Sequence, residues 1–549
     1  MSKKIFILLT FILIIASALR FWQLGEVPSS PDWDEAALGY NAYSILQTGR
    51  DEYGDFLPIV LRSFDDYKPA LYAYLTMPSI SVLGLNVLAV RLPSVIFGIL
   101  TVLAVFFLVK ELFRKNSIAL LSAGLLAISP WHIQFSRIAF ESNVGVALNV
   151  FGVLFFLKSF SKHWYLFFSA IMFGLGLHVY QGEKVFVPLL LIALVVIFRK
   201  QLFTVRKRYI VISFLIFTAI SLPLIHFIIT NNNSLARAKD VSVFSNTSLI
   251  ELNADRILLD KENNNFVGLI FDNRRIEFLK NTAAGYISHF NFNWLFITGD
   301  IARHHAPGMG LMYLIELPFL LVGVYRLVFG SFNKKAKIFI FLWFLIAPIP
   351  ASITNDVPNA VRTLIFLPTF QIFTAIGILT VFGKVSSIKY QVLNIKIKHL
   401  IFLSILSVSI FNFLYYLNQY FIQQNYFHAR YWQYGYENIV NYVAGVQKDY
   451  DKIIVSNTAT MDQSYIFFLF YLKYDPHKYL SEGGTLTGKI EGKNKFSNFE
   501  FRKFNYDEEK EENILLVGST FDFQEVYRTI HEVNYPDKSI AIKVVEKNK

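Results

Sequence analysis

Two acids and a lysine stand out as residues whose type and setting could do chemistry. Asp34 and Glu35 lie in SPDWDEAALGYNAY, and Lys68 lies in SFDDYKPALYAYL beside Asp65 and Asp66. Further polar groups recur next to long apolar runs: Arg137 and Glu141 in QFSRIAFESN, Tyr180 with Gln181, Glu183 and Lys184 in HVYQGEKVFVP, His304 and His305 in ARHHAPGMG, and Arg362 in NAVRTLIFLP. Ionisable groups beside or inside apolar segments are costly and tend to be kept for function. A carboxylate so placed can take a proton from a hydroxyl. An ammonium or a guanidinium can stabilise a departing phosphate, the guanidinium through two parallel hydrogen bonds. By type, Asp34 is the candidate base, and Lys68, Arg137 and Arg362 are the candidate phosphate partners. Acids and cations mixed at a membrane surface suit a substrate that is itself half lipid, with an anionic phosphate at headgroup depth.

Each residue also has a plainer reading. Asp34 and Glu35 suit the start of a helix, as cap and first-turn acid. Lys68 and Arg362 could anchor at the headgroups. Arg137 and Glu141, four apart, could be a surface ion pair. Adjacent histidines point in different directions and chelate poorly, so His304 and His305 read as substrate contacts before metal ligands. Asp66, Glu141 and Tyr180 are further candidate substrate contacts. No cofactor is called for. With no tight carboxylate cluster beyond Asp32/Asp34/Glu35 and Asp65/Asp66, no metal ligand is assigned.

The elements that must position these residues are membrane helices. Of 549 residues, 54% are hydrophobic and 17% charged, against about 25% charged in soluble domains. Runs long enough to span a bilayer fall at 5–24, 88–112, 116–135, 141–160, 164–181, 184–198, 209–230, 308–329, 336–353, 360–383 and 399–417, which makes eleven. Ala16-Ser17-Ala18 resembles a signal-peptidase site, but the run through Leu24 is long enough to span. With Lys3 and Lys4 inside, every second connection is basic: Lys110, Arg114 and Lys115; Lys158 and Lys162; Arg199 to Arg208; Lys334, Lys335 and Lys337; Lys384, Lys389, Lys396 and Lys398. The positive-inside rule therefore predicts a cytoplasmic amino terminus, and it puts all the chemistry-bearing groups on the outer face. Residues 71–85, interrupted by Pro78, read as a juxtamembrane or re-entrant helix, because a span there would invert every later loop.

The net charge of +12 is spent on these loops, so nucleic acid is not a predicted partner. The absence of cysteine excludes disulfides and thiol chemistry. The expected division is a membrane domain over 1–417, with outer loops at 25–87 and 231–307, and an extracytoplasmic tail over 418–549. In the tail, 452–456, 513–518 and 540–545 read as buried strands and 463–472 as a helix, giving a small α/β domain. The fold class expected is thus a mostly α polytopic membrane protein in the plasma membrane.

At these residues the sequence resembles the GT-C superfamily of membrane glycosyltransferases, in particular the protein O-mannosyltransferase and lipid A aminoarabinose transferase branch. The likeness covers about residues 5–385. It rests on Asp34-Glu35, Lys68-Pro69 at a helix start, RLPSVIFGILTV, SPWHIQFSR and VRTLIFLP, while NFNWLFITGDIARHHAPGMGLMYLIELPFLLVG resembles uncharacterised bacterial members. The resemblance implies a GT-C fold, a polyprenyl-phosphate-linked sugar donor (dolichyl or undecaprenyl) and transfer on the outer face without a nucleotide sugar. Attack from the face opposite the phosphate would make the transfer inverting, and the acceptor hydroxyl is left open among protein, lipid and glycan. It implies Asp34 as the catalytic carboxylate with Glu35 as its structural neighbour, and Lys68 and Arg362 as phosphate contacts. One departure is that the aminoarabinose transferases carry an acid directly before the matching lysine, whereas here it is Tyr67, with Asp66 one place earlier. Two other classes compete: a transporter or flippase of polyprenyl-linked glycans, and a non-catalytic scaffold displaying the tail.

Overall fold

The computed structural model describes residues 2–231, 242–245, 247–387, 395–458, 461–489, 492–505, 513–523 and 528–546. Lys389, part of the predicted outer loop (232–241 and 246), and the side chains of Lys396 and Lys398 lie outside the described residues. Among the described residues, eight helices are long and apolar enough to cross a membrane. There are nine if Asn116–Ile128 and Pro130–Ser136, bent by 59° at their junction, form one span. All eleven apolar segments are helical, but two fall short of a bilayer. Tyr165–Gly176 has 12 residues, and Glu316–Phe329 has 14, the stretch before it being irregular. A span needs about 20 residues at 1.5 Å each. The segment 71–85 forms a 13-residue helix, Leu71–Leu83, with Pro78 inside it.

The chain divides into two compact units. One comprises 1–16, 98–133 and 142–414; the other comprises 17–97, 134–141 and 415–549. The first holds most of the apolar helices. Its predicted outer loop forms the helices Thr247–Glu262, Phe266–Phe271 and Arg274–Ser288.

The second unit joins the first outer loop to the tail. The loop gives a helix, Trp33–Thr48, and a hairpin of β1 (Val60–Ser63) and β2 (Asp66–Pro69), which turns at Phe64 and Asp65, both at positive φ. The tail is built on a six-stranded mixed sheet. Its strands are β3 (Lys452–Val455), β4 (Asn494–Phe496), β5 (Phe499–Phe501), β6 (Ile514–Gly518), β7 (Arg528–Asn534) and β8 (Ile540–Glu546), in the order β4-β5-β3-β6-β8-β7. β3 runs parallel to both β5 and β6, and the other pairings are antiparallel. The expected strands are β3, β6 and β8, and the expected helix is Ser464–Tyr471. The buried Ser464–Tyr471 helix packs on Trp33–Thr48, where Gly39 faces the ring of Phe470. The Tyr40 hydroxyl donates to the Tyr474 carbonyl at 3.2 Å.

Candidate functional site

The start of the Trp33–Thr48 helix decides what Asp34 can do. Asp32, not Asp34, is the N-cap: its Oδ1 accepts from the Glu35 amide at 2.9 Å, and Glu35 Oε2 accepts from the Asp32 amide at 3.3 Å. This reciprocal box satisfies two of the amides that every helix start leaves without a partner. Asp34 lies between these two residues, and its carboxylate is bonded instead to the Lys68 ammonium on β2. The Asp34 side chain is 31% exposed and that of Lys68 is 15% exposed, so the couple opens to solvent.

Glu35 has a different setting. Arg91, in the apolar run RLPSVIFG, donates Nε and Nη2 to its two oxygens, both at 2.9 Å. The remaining Arg91 donors reach the carbonyls of Leu24 (3.0 Å), Pro28 (3.1 Å) and Ser30 (2.9 Å). The Ala139 amide donates to Glu35 at 2.7 Å. Both side chains are sealed from solvent. Arg91 thereby fixes the entry to the helix that carries Asp34. Its signal in the sequence is a lone guanidinium inside an otherwise apolar stretch.

The hairpin that presents Lys68 is held by the tail. Asp65 accepts from Arg62 Nε at 3.0 Å, and its second oxygen accepts from the Gly488 amide and the Thr487 hydroxyl, each at 3.1 Å. Burial pushes the Asp65 carboxyl up, but Arg62, Gly488 and Thr487 together hold it below its ordinary value. Only glycine fits at 488, since a Cβ there would lie 2.1 Å from the Phe64 Cα. Asp66 accepts from the Tyr67 amide at 2.8 Å. Glu52, between the helix and the hairpin, is buried, with Asn41 Nδ2 at 2.9 Å and the Thr485 hydroxyl at 2.7 Å. Burial pushes its carboxyl up to about 7, against those hydrogen bonds.

Arg137 is fully buried. It donates to the carbonyls of Leu19 and Arg20 (both 2.9 Å), Gln23 (3.2 Å) and Val27 (3.0 Å), and to the Tyr420 hydroxyl at 3.3 Å. Its guanidinium lies 4.9 Å from the Phe421 ring centre. These partners are not the Glu141 carboxylate four residues on, and a phosphate could be met only by giving some of them up. Glu141 opens the Glu141–Lys158 helix as its first-turn acid.

The remaining candidates belong to the other unit. Arg362 donates to the Thr354 hydroxyl at 2.6 Å and to the Asn355 carbonyl. The His304 Nδ1 lies 2.9 Å from Asp300, which also accepts from the Ala360 amide at 2.6 Å, so Asp300 ties the His304 turn to the loop bearing Arg362. Burial lowers the His304 pKa, with Asp300 opposing. His305 donates Nδ1 to the Ala306 carbonyl at 2.8 Å. Tyr180 lies against Gly182, and its carbonyl accepts from the Glu183 amide at 3.1 Å. Asp300 escaped the sequence reading, because a single acid in a polar loop carries no signal of its own. Among the described residues, no three His, Asp or Glu side chains gather as a metal ion would need.

With this geometry in view, the likeness to known proteins is one of fold. A family model described as dolichyl-phosphate-mannose-protein mannosyltransferase matches residues 67–226. No curated protein matches the sequence. The structure of ArnT from Cupriavidus metallidurans, solved with undecaprenyl phosphate, superposes with a TM-score of 0.57 at 10% identity, covering 99% of this chain and 98% of that one. The oligosaccharyltransferase AglB from Archaeoglobus fulgidus, solved with an inhibitory peptide and a dolichol-phosphate, gives a TM-score of 0.50 at 12% identity and covers 89% of this chain. The chain spans 64% of the length of that archaeal enzyme. The chain shares its fold with these two structures.

Proposed function

We propose that this chain is a glycosyltransferase that moves a sugar from a polyprenyl-phosphate donor to an acceptor hydroxyl, with inversion, at the outer face of the membrane. The observation that carries the reading is the Asp34–Lys68 couple: a carboxylate relieved of capping by Asp32 and Glu35, partly open to solvent, and joined to a cation on a separate element. The ligands named in the ArnT and AglB structures, undecaprenyl phosphate and a dolichol-phosphate, support a donor of that class.

In the proposed step Lys68 turns to the donor phosphate, and Asp34 takes the proton of the acceptor hydroxyl. The acceptor oxygen attacks the anomeric carbon from the side opposite the phosphate. The bond between that carbon and the phosphate oxygen breaks, its electron pair leaves with the polyprenyl phosphate, and the configuration inverts. The cation offsets charge as it develops on the leaving oxygen. Arg137 we assign a positioning role instead, because its donors are taken by four carbonyls and Tyr420. Arg362, Asp66, Glu141, Tyr180, His304 and His305 are proposed donor or acceptor contacts on the strength of the resemblance. The eleven-span topology, with a cytoplasmic amino terminus and an extracytoplasmic α/β tail, belongs to the same proposal.

The test compares glycoproteins and glycolipids, by mass spectrometry, from cells carrying the wild-type chain, no chain, or Asp34→Asn. Asp34→Asn is expected to lower transfer by roughly 10²- to 10⁴-fold, the usual contribution of a general base, at unchanged expression and thermal stability. A variant that restores the full product profile would refute the assignment. So would a flippase signature, in which the donor accumulates on one leaflet regardless of Asp34.

A further inference from the structure

The helices Thr247–Glu262, Phe266–Phe271 and Arg274–Ser288, all in the first unit, pack inside out. Their contacts with one another are polar. Asn253 donates to the Asp272 carbonyl, and Asn265 Nδ2 donates to Asp260 Oδ1 at 2.8 Å. Arg256 lies 3.8 Å from Glu277 and 4.0 Å from Asp272. Asn253 and Asp260 are buried. The apolar side chains point the other way: Phe266, Val267, Ile270, Phe271, Leu279 and Ile287 are each between 59% and 76% exposed. On Arg274–Ser288, Ile276, Leu279, Ala283 and Ile287 follow the helical spacing down one face, while Glu277, Asn281 and Ser288 fall on the other. A helix surrounded by water turns such a stripe inward.

The end of this helix is fastened to a membrane-length segment of the same unit. Lys334–Ser352 is long and apolar enough to cross a bilayer, and basic residues open it. Near its other end, the Leu345 carbonyl accepts from the Tyr286 hydroxyl at 2.8 Å, and the Phe344 ring lies 5.3 Å from that of Phe290. Gly285 comes so close to the Ser352 carbonyl that a Cβ would lie 3.0 Å from it. Leu345 is itself exposed, and it precedes Ser352 by about 10 Å of helix rise. Arg274–Ser288 therefore ends against the flank of the segment, at the depth of its last turns. Arg274 and Arg275, both exposed, stand at the opposite end of the helix.

We propose that Phe266–Phe271 and Arg274–Ser288 form a lipid-docking surface that lies in the bilayer interface, in the leaflet the basic connections predict to be the outer one. The six exposed apolar side chains sit among the acyl chains, and Arg274 and Arg275 lie at headgroup depth. Helices with an apolar face and basic residues beside it take up this position. A bilayer fits the face better than a second protein for two reasons. Tyr286 and Gly285 hold the helix at the level where a crossing segment leaves the hydrocarbon, and the exposed Leu345 continues the apolar surface on the same flank. The surface is separate from the Asp34–Lys68 couple and stands whether or not the chain transfers a sugar.

The chain has no cysteine, so single-cysteine variants of the full-length protein can each carry one nitroxide spin label. Ile270→Cys, Leu279→Cys and Ile287→Cys are reconstituted in vesicles of equal parts phosphatidylcholine and phosphatidylglycerol. Leu215→Cys, in the membrane-length helix Lys207–Thr230, is the lipid reference, and Glu532→Cys, on the edge strand β7, is the aqueous one. Collisions of the label with oxygen, which partitions into acyl chains, are compared with collisions with a water-soluble nickel chelate. Oxygen should dominate at 270, 279 and 287 as it does at 215, placing the labels about 5–10 Å into the headgroup and acyl boundary. Dominance of nickel at these positions, as at 532, would overturn the proposal, because the face would then meet water. Exclusion of both reagents would overturn it as well, with a second copy or another protein as the occupant. All five side chains are exposed, so the thermal unfolding midpoint should not move. A labelled variant that does unfold early is replaced by Val267→Cys or Phe271→Cys, read against the same two references.

Discussion

Two acid–base couples lie next to each other in sequence, and they are built in opposite ways. Glu35 and Arg91 are sealed, and nearly every polar atom of the pair is spoken for: two bonds between them, three backbone carbonyls on the arginine and two backbone amides on the glutamate. Asp34 and Lys68 are joined to each other and open to water. A buried pair with its valences filled holds a geometry, and its charges are not available to a ligand. An open pair is cheap to separate, so its members can turn to new partners. The single step from residue 34 to residue 35 crosses from chemistry to architecture.

The comparison is broken most severely at Arg91. Arg91→Ala leaves the Glu35 carboxylate buried beside two amides but without its cation, and it also releases three carbonyls. Removing one partner of a buried pair costs about 3–5 kcal/mol. The protein should therefore lose that much stability in thermal or denaturant unfolding in detergent, with activity falling in step with the folded fraction. Arg91→Ala with Glu35→Gln should recover part of the loss, because the stranded charge is gone. A single variant as stable as wild type would mean that the pair does not hold the helix entry.

Glu52 sharpens the contrast, since it is a third acid, buried like Glu35 but met by neutral partners, Asn41 and Thr485. Burial raises its folded-state pKa to about 7 from 4.5. A raised carboxyl holds its proton more tightly when folded. Its contribution is therefore fully present below about pH 4.5 and is lost as pH rises through 7. The linked change is on the order of 3 kcal/mol between those limits. Unfolding of the wild type should become easier from pH 6 to pH 8, and Glu52→Gln should flatten that slope. Hydrogen exchange at residues 484–488 would locate the effect, because the Thr485 amide donates to the Glu52 carbonyl at 3.0 Å. An unchanged slope in the variant would assign the pH dependence elsewhere.

What could be read in advance follows the same physical line. Asp34 and Lys68 announce themselves as charges at the edges of apolar runs, and β3, β6 and β8 as short runs of buried aliphatic residues. Arg91 stayed hidden because its run reads as a span and one charge does not break the pattern. β7 stayed hidden because it is a polar edge strand, RTIHEVN, largely exposed. β4 and β5, at three residues each, are too short to show a period. The docking of the tail onto the first outer loop has no local code at all. It is made by the Ser464–Tyr471 helix lying on Trp33–Thr48 at Gly39, by backbone groups, by Thr485 and Thr487, and by the missing side chain of Gly488. Composition reads spans at 164–181 and 308–329, where the helices run for 12 and 14 residues, because apolar content does not fix where helix geometry begins or stops.

The smallest expected effect on stability is at the open couple, and that smallness is the point. Lys68→Ala removes the partner of a carboxylate that water already reaches, so the cost should stay within about 1 kcal/mol, as for exposed pairs. The proposed mechanism asks much more of Lys68 once a donor phosphate is bound. Transfer should fall by a factor far larger than the stability change accounts for, and Lys68→Arg should restore part of it by keeping the positive charge. Measuring unfolding and transfer on the same preparations separates the two. If Lys68→Ala instead destabilised the protein as much as Arg91→Ala, the two couples would be alike, and the open one would be one more clamp on the hairpin.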